Sequence, residues 1–331
     1  MAVPRLRLRI AVVQFNPKIG QVQANLAKAR GLCRKLLPRS VDLLCFPEMA
    51  FTGYVFENAA AISPHLERPR TGATSLFCAE LAQKLQCYVI AGYPEELASD
   101  EPRLNEEIVD GPAQDNAEGS ASSEVHQVGA NSAIMYGPNG QWVGGYRKTN
   151  LFETDKPWAK AGTGFATFDL PPPLGTMSLA ICMDLNPHPP NEWTSIEGPY
   201  ELADYCLSKR ANVLILLDAW LDSGNEPDDK HDWHTLRYWS ARLRPLWASD
   251  ENTLVDSDGE DREETLDKPD AQDAPSDEMI VVACNRCGEE NGKLFAGTSA
   301  IFSMVKGSGR PKLLDMMERD EEGVRIWDIN V

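Results

Sequence analysis

The stretch Thr176–Pro187, TMSLAICMDLNP, decides how this chain reads. Met177 to Ile181 are apolar and of strand-forming size. Gly175 bounds them behind, and Asp184, Asn186 and Pro187 follow, so they read as a short buried strand. Cys182 then stands at the strand's carboxyl end, the edge where ligands meet protein in open α/β folds. Taken alone, a cysteine beside Ile181 reads equally as a small core hydrophobe. The choice rests on what other strand ends carry.

Two of them carry reactive groups. Glu48, in VDLLCFPEMAFTGY (Val41–Tyr54), follows its own apolar run, with Pro47 stiffening the exit. Lys148, in WVGGYRKTNLFETD (Trp142–Asp155), lies just past another. Singly, the first reads as a loop carboxylate and the second as a solvated lysine. Further strand patterns are LRIAVVQF, CYVIAGY, NSAIMYG, NVLILLD, MIVVACN, AGTSAIFS and VRIWDI. Four stretches with apolar residues three and four apart fall between them: QANLAKARGLCRKLL, ATSLFCAELAQKLQ, GPYELADYCLSKR and HDWHTLRYWSARLRPLW. GPNG (Gly137–Gly140) predicts a hairpin in which Asn139 and Gly140 supply positive φ, and NGKLFAG (Asn291–Gly297) predicts another. The alternation argues for an α/β protein with a mixed sheet, or with two sheets face to face and helices outside. No internal repeat stands out, and no glycine pattern has the context of a phosphate-cradling loop.

The 331 residues and 42% hydrophobic content are enough for one large domain. The net charge of -18 argues against nucleic acid or an anionic membrane as partner. The acidity is concentrated in two segments: residues 95–126 hold ten acids against one base, and residues 249–278 hold thirteen against two. Both are rich in Ser, Pro, Gly and Ala and read as surface insertions on a nearly neutral core, in a single domain spanning 1–331. No apolar run reaches the ~18 residues of a membrane span, and the first strand follows the amino terminus too closely to leave room for a removable targeting peptide. The eight cysteines lie mostly among apolar neighbours, which suits a reducing compartment and predicts a cytoplasmic protein. Cys284 and Cys287 make one C-x-x-C without the second ligand pair of a zinc site or the strand-to-helix context of a redox motif.

FPEMAFTGY around Glu48, GGYRKTNLFETD around Lys148 and AICMDLNP around Cys182, in that order, resemble the nitrilase superfamily of carbon-nitrogen hydrolases. RIAVVQFNPKIGQVQANLAKA and VVACNRCGEENGKLFAGTSAIF extend the likeness over nearly the whole chain outside the acidic insertions. The resemblance implies a four-layer α-β-β-α sandwich and a Glu-Lys-Cys triad, here Glu48, Lys148 and Cys182, with no cofactor and no metal. Those residue types suit amide cleavage. The Cys182 thiolate is the nucleophile, favoured by a nearby ammonium, and Glu48 takes and returns its proton. Lys148 and the Met183 amide would hold the oxyanion.

Small-acid amidases of the superfamily commonly follow the cysteine with an acid and then an arginine. Here Met183, Asp184, Leu185 and Asn186 follow, so the partner of a substrate carboxylate is missing. CMDLNP together with LLDAWL (Leu216–Leu221) resembles the branch that deamidates amino-terminal Asn or Gln of proteins in the N-degron pathway. Such a substrate presents an α-ammonium, for which Asp218 or Asp184 is the candidate partner, while Trp220 would wall the side-chain slot. Tyr54, Met183 and Asn186 complete the expected substrate contacts.

Many relatives orient the lysine with a second glutamate between lysine and cysteine. Between Glu153 and Cys182 this chain has none, so either Glu153 or Asp155 takes that role or the role is lost. The expected partners are proteins or peptides with N-terminal Asn or Gln, and family analogy adds a homodimer. The alternatives are an ω-amidase-like small-molecule amidase or carbamoylase, and a non-catalytic scaffold whose acidic insertions bind a basic partner.

Overall fold

A computed structural model of the protein describes residues 6–101, 127–249 and 278–330. Its first part runs β1 (Arg7–Gln14), α1 (Val22–Cys33), β2 (Leu43–Cys45), α2 (Ala59–Ile62), α3 (Ala73–Leu85), β3 (Tyr88–Glu96), β4 (Gly129–Tyr136) and β5 (Trp142–Arg147). Then follow β6 (Ala166–Asp169), β7 (Thr176–Ile181), α4 (Glu201–Lys209), β8 (Val213–Asp218), α5 (Trp233–Arg242) and β9 (Glu278–Asn285). The chain closes with β10 (Cys287–Glu290), β11 (Lys293–Ala296), β12 (Ala300–Val305), β13 (Lys312–Met316) and β14 (Gly323–Asn330).

Two six-stranded sheets form, in the orders β14-β1-β2-β3-β4-β5 and β6-β7-β8-β9-β12-β13. Across each, the pairings run antiparallel, parallel, parallel, antiparallel, antiparallel. The two halves are thus built to one plan, a repeat that the sequence does not announce. At the centre of each sheet lies a parallel trio, β1-β2-β3 and β7-β8-β9, and the segments bearing Glu48, Cys182 and Asp218 leave these trios at their carboxyl ends.

Burial follows the period-two alternation of strands. On β8, Val213, Ile215 and Leu217 enter the layer between the sheets, while Leu214 and Leu216 face outward. Ile10, Val12, Leu43 and Ile90 of the first sheet meet Leu179, Ile181, Ile215 and Val282 of the second. Helices α1 and α3 cover the outer face of the first sheet through Leu26, Phe77 and Leu81, and α4 and α5 cover the second through Leu202, Ala203, Leu236 and Trp239. The result is the four-layer α-β-β-α sandwich. Each such aliphatic or aromatic side chain contributes roughly 1.5–3 kcal/mol by leaving water. Two helix starts are held by acids: Asp232 accepts the Thr235 amide at α5, and Glu67 accepts both the amide and hydroxyl of Thr74 at α3.

Some expectations need correction. The first insertion begins later than residue 95. Glu95 and Glu96 complete β3, and Glu95 and Glu101 both pair with Arg147. The remainder, 102–126 and 250–277, lies outside the described residues. In the β4–β5 hairpin only Gly140 has positive φ, whereas the β10–β11 turn uses both Asn291 (φ 48°) and Gly292 (φ 77°). β6 and β13 were not expected. Both are sheet edges whose residues are half-buried or exposed, so no apolar alternation marks them. Among the described residues no helix is long and apolar enough to cross a membrane.

Candidate active site

Strand β7 stops at Ile181 because Cys182 takes a left-handed backbone, φ 43°, before one 3-10 turn, Cys182–Leu185. A non-glycine residue held there stores roughly 1–3 kcal/mol, so its surroundings must enforce it. The Cys182 amide donates to Asp218 Oδ1 at 3.1 Å. Asp184 accepts the Ile181 amide (2.8 Å) and the Tyr146 hydroxyl (2.7 Å) on Oδ2, and the Thr149 (3.0 Å) and Asn150 (2.8 Å) amides on Oδ1. Asp184 therefore ties the cysteine turn to the segment just after Lys148. With every acceptor filled and 1% exposure, it is no partner for a substrate ammonium, which corrects one of the two candidates.

Glu48 is wholly buried in the loop after β2. Its backbone lies against β3 at Gly92, where a Cβ would stand 2.6 Å from Glu48 Cα and 2.8 Å from the Pro47 oxygen. Glu48 Oε1 accepts Lys148 Nζ at 2.7 Å and Asn131 Nδ2 at 2.6 Å, and Oε2 accepts the Ala219 amide at 2.8 Å. Lys148, also wholly buried, donates to Asp155 Oδ2 at 2.7 Å, and its contact to the Tyr54 hydroxyl is stretched to 3.4 Å. Asp155 further accepts Asn131 Nδ2 (2.9 Å), the Tyr54 hydroxyl (3.2 Å) and the Phe152 amide (3.0 Å). Of the two acids expected to orient the lysine, Asp155 touches it and Glu153 is exposed.

Electrostatics sort the protonation states. Burial acts to lower the Lys148 ammonium, but the Asp155 and Glu48 carboxylates outweigh it and hold it well above the usual lysine value. Burial drives the Glu48 carboxyl up, with Lys148 opposing, the direction that suits a group which must both take and return a proton. The Cys182 thiol is pushed well above its ordinary value, first by burial and then by the charge of Glu48, which together outweigh Lys148. Burial and Glu48 thus favour the thiol over the thiolate, so forming the reactive thiolate calls for a base to take the proton, the role expected of Glu48.

A cleft of about 250 Å³ opens between the turn after Cys182 and the segment after β8, lined by Asn186, Trp220, Leu221, His234 and Tyr238. Trp220 is half-buried and stacks obliquely on Tyr238 with centroids 5.7 Å apart, while the Tyr238 hydroxyl donates to Asn186. Met183 is half-buried, and its carbonyl accepts Asn150 Nδ2. Its amide lies in the first turn of the 3-10 segment, where an N–H has no intrahelical acceptor. Tyr54, expected in substrate contact, is 1% exposed and its hydroxyl is committed to the lysine cluster.

Several functional groups escaped the sequence reading. Asn131 bridges Glu48 and Asp155. Its signal was an amide inside an apolar strand, a position that a core tolerates only when the amide is hydrogen-bonded. The Ala219 amide carries no side-chain signature. Asn285, in the C-x-x-C stretch, clasps the Trp220 peptide from both sides, accepting its amide at 2.9 Å and donating to its carbonyl at 3.3 Å. Glu290, paired with the buried Arg286 at 2.9 Å, accepts the amides of Tyr54 and Val55. Cys284 points into the inter-sheet core and Cys287 is also buried.

Residues 9–186 match the carbon-nitrogen hydrolase family. A protein N-terminal amidase of Schizosaccharomyces pombe is 30% identical over 97% of this chain and 99% of its own length. One from Saccharomyces cerevisiae is 22% identical over 89% of this chain and 85% of its own length. Among solved structures, an N-terminal amidase with an Asn-Glu-Ala peptide superposes with a TM-score of 0.71 at 21% identity, covering 98% of both chains.

Proposed function

Because the chain belongs to the carbon-nitrogen hydrolase family, we propose that it deamidates the side chain of N-terminal Asn or Gln of proteins or peptides, yielding Asp or Glu and ammonia. The observation that carries the chemistry is the buried Glu48–Lys148–Asp155 cluster set against the left-handed turn at Cys182. The observations that carry the substrate are the absence of a cation after the cysteine and the likeness to N-terminal amidases along nearly the whole chain.

As the substrate amide enters, Glu48 takes the thiol proton and Cys182 Sγ bonds to the amide carbon. An ammonium has three N–H donors. Two of those on Lys148 are held by Glu48 and Asp155, and the third, only loosely engaged with Tyr54, turns to the oxyanion beside the Met183 amide. Glu48 returns the proton to the departing nitrogen, the C–N bond breaks and ammonia leaves a thioester. Water then gives its proton to Glu48 as its oxygen attacks the thioester carbon. The C–S bond breaks, the proton returns to the sulfur, and a carboxylic acid is released.

Ammonia release is measured from Asn-peptide, Gln-peptide, their N-acetylated forms, free Gln and a carbamoyl amino acid. The two free-amino peptides are expected to exceed all others in kcat/KM, and Cys182→Ala is expected to abolish turnover. Faster turnover of free Gln or the carbamoyl amino acid would instead support the small-molecule reading.

A further inference from the structure

The chain leaving β8 touches both reacting groups. Asp218 Oδ1 accepts the Cys182 amide at 3.1 Å, and the next amide, that of Ala219, donates to Glu48 Oε2 at 2.8 Å. The parallel ladder that supports this segment ends there, with Asp218 opposite Asn285 as the last pair of β8 and β9. Beyond it the Asn285 side chain takes over. Its Oδ1 accepts the Trp220 amide at 2.9 Å, and its Nδ2 donates to the Gly297 oxygen at 2.9 Å and the Trp220 oxygen at 3.3 Å. The Trp220 oxygen also accepts the Ala296 amide at 2.9 Å. Two successive amides are thus pinned by side chains from the two halves of the molecule, Ala219 by Glu48 and Trp220 by Asn285.

Asn285 is itself held from behind. The Ser299 hydroxyl accepts its amide at 2.9 Å and donates to its oxygen at 3.1 Å, and the Ser299 amide donates to Gln14 Oε1 at 2.9 Å. Gln14 Nε2 donates to the oxygens of Glu318 and Glu321. Gln14 ends β1 of the first sheet and Asn285 ends β9 of the second, so this chain of bonds crosses from one sheet to the other before it reaches Trp220. All three side chains are wholly buried and every polar atom on them is bonded, the condition under which a buried network specifies a single arrangement. Resting on the proposed amide hydrolysis, we infer that Asn285 is a positioning residue for it: the clasp on Trp220 holds the Ala219 amide on Glu48 and so sets the base against the Cys182 thiol. Without the clasp, Ala219 and Trp220 turn about their φ and ψ bonds and Glu48 Oε2 loses the donor that fixes it.

The test is Asn285→Asp, which keeps the shape. When ionised, one oxygen still accepts the Trp220 amide, but the other takes the place of Nδ2, 2.9 Å from the Gly297 oxygen, and the clasp opens. When protonated, that oxygen is a donor and closes it again. Burial, the two carbonyls and the Asp218 carboxyl on the paired strand all favour the protonated form, while Arg286, next along the chain, is committed to Glu290. Ammonia release is followed on whichever amide the unmodified protein turns over, with urea unfolding confirming that each variant is folded. Relative to the unmodified protein at the same pH, kcat of Asn285→Asp is expected to be at least about tenfold lower at pH 8 and within about threefold at pH 5.5, since displacing a reacting group by ~1 Å costs up to about 10². Should this variant not fold at pH 8, it is folded at pH 5.5 and jumped to pH 8 for the assay. Asn285→Ala, which cannot remake the clasp, is expected to be low at both pH values. Folded Asn285→Ala with normal kcat, or Asn285→Asp that loses nothing at pH 8 or fails to recover at pH 5.5, would overturn the assignment while leaving the activity intact. An unmodified protein that releases ammonia from no amide would overturn the proposed activity itself.

Discussion

Asp155→Asn is the sharpest probe of the lysine cluster. The substitution keeps shape and removes one charge. Asp155 Oδ2 faces three donors, Lys148, Tyr54 and Phe152, and Oδ1 faces Asn131. The new amide settles with its oxygen towards the three donors, which sets its NH2 against that of Asn131. The charge-assisted part of one bond is lost and one donor faces another, about 3 kcal/mol together. Lys148 has a folded pKa raised by Asp155 and Glu48 against burial. The stability it contributes is therefore complete below its unfolded value near 10.4 and fades only as pH rises through the folded one. At pH 7 the variant should forfeit the part of that contribution that Asp155 supplies. With Asp155 gone, burial is opposed by Glu48 alone, so the ammonium is deprotonated at lower pH and the alkaline limb of kcat/KM moves down. Loss of an oxyanion donor costs about 10²–10³ in kcat, and that is the fall expected in ammonia release, with urea unfolding reporting the ~3 kcal/mol. Glu153→Gln, at an exposed site, should move stability by less than ~0.5 kcal/mol. An Asp155→Asn protein within threefold of normal activity would refute the role given to this carboxylate.

Gly92→Ala should push the Glu48 loop away, costing about 1–3 kcal/mol in thermal stability and lowering kcat at least tenfold. An active, equally stable variant would mean that the loop yields freely. Asp218→Asn should stabilise the protein, because burial raises the Asp218 carboxyl well above its usual range. A raised carboxyl gives stability that is complete below its unfolded pKa and lost as pH rises through the folded one. The gain in melting temperature should therefore be larger at pH 8 than at pH 5, and a gain that shrinks with pH would contradict it. Alkylation of Cys182 by iodoacetamide should show no inflection below pH 9, since burial and Glu48 push the thiol up. Glu48→Gln should speed labelling at pH 8 while abolishing ammonia release, and slower labelling would show that Glu48 does not hold the thiol protonated.

The positions of Glu48, Lys148 and Cys182 just past apolar runs were legible, because strand ends are recognisable one by one, but singly each read as ordinary and the resemblance joined them. Helix and strand periodicities left one mixed sheet or two facing sheets open, and the family resemblance supplied the four-layer order. What escaped is either backbone or edge. The Ala219 amide has no residue type to betray it, and β6 and β13 lack a buried face to write an alternating pattern. Asp184 was offered beside Asp218 as an acid able to pair with a substrate ammonium. Its position three residues after Ile181 equally suits an acceptor for a turn amide, and the structure shows that use. The common plan of the two sheets was invisible because pairing direction leaves no trace in residue identity.

That common plan divides the reagents. The first half supplies the acid, the ammonium and their clasp, Glu48, Lys148, Asp155 and Asn131, while the second supplies the sulfur and the amides around it. On the proposed chemistry neither slab holds a complete set, so hydrolytic competence emerges only when the two dock in register. A nascent chain with one slab formed is chemically mute, and any slippage along the seam would silence the finished enzyme without unfolding it.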